Sequence, residues 1–75
     1  MIKQKVLEII NEIRKSKGLE EVSKLNDSDN LRDNLDLTSF DLAELTVKLE
    51  DEYDIDIFED GIVETIKEVI EKLEQ

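Results

Sequence analysis

Apolar residues return at helical spacing near the start of the chain: Ile2, Val6, Ile9, Ile10 and Ile13. That period predicts a first helix over Ile2 to Ser16 with one buried stripe. Its last turn is basic, at Arg14, Lys15 and Lys17, which suits the negative end of a helix dipole, and Gly18 is a stop signal. Between residues 19 and 38 the period is lost. Leu19, Val22, Leu25, Leu31, Leu35 and Leu37 are scattered among Asn, Asp and Ser, so this long connection is expected to pack onto the core. A second helix is expected from Thr38 or Ser39 to Tyr53 or Asp54. Thr38 reads as its N-cap, with Asp41 in the capping-box position, and Leu42, Leu45, Leu49 and Tyr53 form its inward stripe. Asp41, Glu44, Lys48 and Asp51 fall mainly on the other side, with Phe40, Ala43 and Val47 on the flanks. After Ile55-Asp56-Ile57-Phe58 an acidic turn at Glu59-Asp60-Gly61 reads as one short helical turn. A last helix over Val63 to Leu73 is expected to bury Ile62, Ile66, Val69, Ile70 and Leu73. The fold class is all-α: a small bundle of three main helices plus one short one, with a long first loop.

Composition sharpens this. Seventy-five residues make a single domain, 1–75, with room for one modest core. The absence of Pro and the presence of only two Gly disfavour sheets joined by tight turns. The net charge is -11, and residues 36–60 carry ten acids against Lys48 alone, whereas residues 1–17 are basic. Nucleic acid and anionic membranes would be repelled by such a surface; basic protein patches are its complement. The N-terminal pattern is amphipathic and not an uninterrupted apolar run, so no membrane insertion is expected and a soluble, cytoplasmic monomer is the default.

The chemistry available is narrow. With no Cys and no His, the chain has no thiol of its own, no disulfide and no histidine base or metal ligand. An EF-hand reading of Asp54 to Asp60 fails, because Phe58 and Glu59 occupy the fifth and sixth positions where a ligand and Gly are required; Asp27 to Leu31 fails at Leu31. No metal site is assigned. Paired carboxylates need a desolvating cleft that nothing here marks, and Ser39 has neither a histidine nor a G-x-S-x-G turn, so a catalytic role is not expected. Taken alone, Ser39 is a residue at a helix start, where hydroxyls mostly serve as caps.

The run S-F-D-L-A-E-L-T-V-K-L-E-D-E-Y-D-I-D-I, Ser39 to Ile57, resembles the core of the acyl carrier protein family. In that family a serine is followed two residues on by Asp, then by Glu-Leu, and then by an acidic helix closing with Glu-Glu-Phe-Asp. Asp41, Glu44, Leu45, Leu49, Glu50, Asp51, Glu52, Tyr53 and Asp54 occupy those places, and the likeness extends less strictly over nearly the full chain. The resemblance implies that Ser39 receives 4'-phosphopantetheine from coenzyme A, whose terminal thiol then holds an acyl or aminoacyl group as a thioester. It also implies partners: a phosphopantetheinyl transferase and acyl-loading and acyl-transferring enzymes with basic patches. These would be met by Asp41, Glu44, Glu50 and Asp51, with Ala43, Val47 and Ile57 as apolar contacts. Thr38 stands where the family most often has Asp, Asp36 where Gly is common, and Phe40 where Leu is usual. These departures suggest a carrier dedicated to one pathway. The alternative is an unmodified acidic helical adaptor that binds a basic protein through its second helix.

Overall fold

The computed structural model describes residues 2–74 and contains three α-helices: α1 (Ile2–Ser16), α2 (Ser39–Tyr53) and α3 (Ile66–Leu73). The all-helical expectation holds, and α1 packs against both of the other helices. Its inward stripe, Val6, Ile9, Ile10 and Ile13, meets Leu45 and Leu49 of α2 and Ile66, Val69 and Leu73 of α3 in one core cluster. Gly18 ends α1 in the left-handed conformation, φ +82°. The Gly18 amide donates to the Lys15 carbonyl and the Leu19 amide to that of Arg14, which is the Schellman pattern.

The long connection is anchored by its leucines. Leu25, Leu31, Leu35 and Leu37 are all buried, as the sequence predicts. Two buried polar groups of α1 hold its backbone. The Asn11 amide accepts from the Val22 N–H (2.9 Å) and donates to the Val22 carbonyl (3.1 Å), so a side chain stands in for a pairing strand. Arg14 donates to the carbonyls of Glu20 (3.0 Å) and Leu35 (2.6 Å). Loop carbonyls in turn satisfy two first-turn amides of α3: Ile66 donates to Asp29 and Lys67 to Asp27.

The C-terminal third corrects the sequence reading in three places. First, α3 begins at Ile66 and not at Val63, because Thr65 is its N-cap in a capping box with Glu68. Residues 63–64 lie outside the helix beside the loop, where the Glu64 carbonyl accepts from the Leu31 amide and Thr65 forms an isolated bridge with Asn30. Secondly, Ile62, expected in the core, is 84% exposed, since the helical period that would have turned it inward stops at the cap. Thirdly, residues 57–60 form only a turn, so the described residues hold three helices and not four. Asp56 Oδ1 accepts from the Phe58 amide and initiates this turn, and Ile57 is driven inward, fully buried.

Candidate functional site

The start of α2 is fixed from both sides. Thr38 is its N-cap; Thr38 Oγ1 accepts from the Asp41 amide (3.2 Å), and Asp41 Oδ2 accepts from the Thr38 amide (2.9 Å). The same carboxylate oxygen lies 2.5 Å from Lys17 Nζ, just past the end of α1. Lys17 also donates to the Asp36 carbonyl (2.6 Å). Burial alone would raise the Asp41 carboxyl; the hydrogen bonds from Lys17 and Thr38 outweigh it and hold the group below its ordinary value. Asp36 itself takes a left-handed backbone, φ +59°. The geometry suits Gly at this position, and Asp is among the few other residues that tolerate it.

Ser39 is the first residue of α2 and is exposed. Thr38, not Ser39, performs the capping, so the serine hydroxyl has no structural task in the helix. Among the described residues its side-chain hydrogen bond is with Arg32, whose Nη2 donates to Ser39 Oγ (2.5 Å). Arg32 also lines a groove of about 320 Å³ between the first loop, α2 and the turn after it, with Leu31, Leu42, Phe58, Ile62 and Val63 as apolar walls. Leu42 is half-buried because it forms one wall of this groove. A serine presented at a helix N-terminus, a guanidinium beside it and an apolar groove leading away fit a phosphate-linked arm.

The remaining residues singled out by the resemblance divide in two. Ala43, Val47, Glu50 and Asp51 are exposed and Glu44 is half-buried. Phe40, Ala43, Val47 and Glu50 follow one another at three- and four-residue steps, so they share one outward stripe of α2. Asp41 and Ile57 are corrections. Asp41 is 5% exposed, with its carboxylate committed to Lys17 and Thr38, and Ile57 is core. Neither side chain lies on the exposed face of α2. The sequence reading placed Arg14 and Lys17 only at the end of α1 and gave Arg32 no role; the partners of all three lie 6 to 24 residues away along the chain.

A family model described as a phosphopantetheine attachment site matches residues 4–73. The chain therefore belongs to the phosphopantetheine-binding carrier family, whose members bear a covalently attached 4'-phosphopantetheine. No curated protein and no solved structure matches the chain. Among the described residues no helix is long and apolar enough to cross a membrane.

Proposed function

We propose that this chain is a carrier protein that bears its prosthetic arm on Ser39 and delivers acyl or aminoacyl groups to partner enzymes. The observation that carries the reading is an exposed serine at the first position of α2 that is not used as the cap, inside a chain matched by the family over residues 4–73. In attachment, Ser39 Oγ bonds to the pantetheine-side phosphorus of coenzyme A and the pyrophosphate P–O bond breaks. Adenosine 3',5'-bisphosphate leaves, and the hydroxyl proton passes to solvent. The arm supplies the thiol that the cysteine-free chain lacks. The chain's own contribution is placement. Lys17, Asp41 and Thr38 hold the end of α1, the approach to α2 and its first turn in one fixed relation, so Ser39 is offered at a rigid corner.

The partner surface is the outer face of α2, with Glu44, Glu50 and Asp51 as the charges and Ala43 and Val47 as apolar contacts. Exposed acids speed encounter with basic patches without tight binding, which suits a carrier that must leave each enzyme it visits. The apolar groove beside Leu42 and Phe58 is the place where the non-polar part of a cargo would rest.

Intact-protein mass spectrometry after incubation with coenzyme A and a broad-specificity phosphopantetheinyl transferase tests the site. A mass gain of one arm, abolished by Ser39→Ala, is expected. A gain that persists in the variant would move the site elsewhere, and no gain in either chain would favour the unmodified adaptor.

A further inference from the structure

Three cations surround the start of α2, and two of them are already committed. Arg14 is buried on the Glu20 and Leu35 carbonyls, with Asp36 Oδ2 at 3.6 Å. Lys17 is held by Asp41 and by the Asp36 carbonyl. Arg32 differs. Among the described residues it forms no ion pair within 4.0 Å, although Asp33 and Asp36 are its close neighbours in a chain of net charge -11. Its guanidinium rests instead on a neutral acceptor, Ser39 Oγ. The backbone behind it is pinned. Asn30 Oδ1 accepts from the amides of both Arg32 and Asp33 at 2.9 Å, the Arg32 carbonyl accepts from Asp36, and Leu31 beside it is buried. One end of the side chain is thus fixed while the other reaches the atom to be modified.

A guanidinium with a single donor on a hydroxyl in an acid-rich region has unused capacity for an anion. Resting on the reading of Ser39 as the attachment site, we propose that Arg32 is the counter-charge of the phosphodiester, pairing with its oxygens and setting the root of the arm towards the groove that Arg32 also lines. Esterifying Oγ places phosphorus one bond, and the phosphate oxygens two bonds, beyond the atom Arg32 already touches, within the reach of the same N–H fork. Attachment then adds a negative charge where a positive one is waiting. Without Arg32 the same charge would be added to an already repulsive surface.

The test compares wild type, Arg32→Gln and Arg32→Lys, each as apo and as arm-loaded protein, with loading followed by intact mass and Ser39→Ala as the control. Two readouts are taken, the phosphorus-31 resonance of the loaded chain and the difference in melting temperature between loaded and apo forms at low and high salt. In the wild type, salt should lower that difference, because it screens an attraction. In Arg32→Gln the phosphorus resonance should move and the salt dependence should reverse sign, because only repulsion remains. Arg32→Lys should restore the sign, since it keeps the charge without the fork. A chain loaded at Ser39 whose phosphorus resonance and salt dependence are the same in wild type and Arg32→Gln would overturn this inference and leave the attachment site standing. Absence of loading at Ser39 in the wild type would overturn both.

Discussion

Asp41 shows how a residue with a surface-type side chain can be turned to structure. Its carboxylate closes the capping box of α2 and also receives Lys17 from beyond the end of α1. Removing the charge leaves a part-buried ammonium without its partner. Asp41→Asn is therefore expected to cost about 1–3 kcal/mol near neutral pH, read by chemical denaturation. The pH dependence follows from the depressed carboxyl. A group whose folded value lies below its unfolded value stabilises the fold above the unfolded value and loses that contribution as the pH falls through the folded one. Wild-type stability should thus fall on acidification below about pH 4, the region of an unperturbed Asp, and Asp41→Asn should remove part of that slope. An unchanged acid limb in the variant would mean that Lys17 does not hold the carboxylate in solution. The cap itself was legible from the sequence, because a capping box is written in residues three apart. The lysine was not, because it lies 24 residues away and no local pattern links them.

At the scale of elements, helix limits are written in neighbouring residues, that of α3 included, whereas positions set by the fold are not. The span of α1 and its Gly18 stop follow from periodicity and one glycine. The helical period continues back through Thr65 to Ile62 and so predicts a start at Val63, whereas the Thr65–Glu68 box starts the helix at Ile66 and leaves Ile62 outside. Ile57 is the converse case. An isoleucine in a short acidic segment looks like surface, yet the turn begun by Asp56 delivers it to the centre. Ile57→Ala should consequently cost about 2–5 kcal/mol, as much as a helix-stripe residue such as Leu45. Ile62→Ala should cost little by the same denaturation measurement. Asp54 offers a gain instead. It is an exposed C-cap at φ +59°, with a carboxylate at the negative end of the α2 dipole. Asp54→Gly removes the left-handed penalty and the adverse charge, against the greater unfolded entropy of glycine, and should stabilise by about 0.5 kcal/mol. Destabilisation would show that the carboxylate has a role beyond the cap.

Over the whole molecule, the uneven charge along the sequence becomes a spatial arrangement. Each base among residues 1–17 meets an acid of another segment: Lys3 with Asp27, Lys5 with Glu52, Arg14 with Asp36, Lys15 with Glu21 and Lys17 with Asp41. The basic start of the chain is thus laid against its acidic remainder, which the segment charges alone did not reveal. Three of these pairs, at Lys3, Lys5 and Lys15, are between well-exposed side chains and are worth little each, about 0–1 kcal/mol. They also leave the outer face of α2 unneutralised, since Glu50 and Asp51 are exposed and make no ion pair among the described residues. Salt weakens both the pairs and the repulsion. With 21 acids against 10 bases the repulsion is the larger effect, so added salt should raise the melting temperature, with divalent cations more effective than monovalent ones. Reversing Glu50 and Asp51 to Lys should flatten that salt response in the isolated chain. The same double variant should weaken capture by a basic partner enzyme and reduce its salt sensitivity, while circular dichroism stays helical. If the salt response flattens but partner binding is unchanged, the acidic face is a solubility feature and the partner surface lies elsewhere.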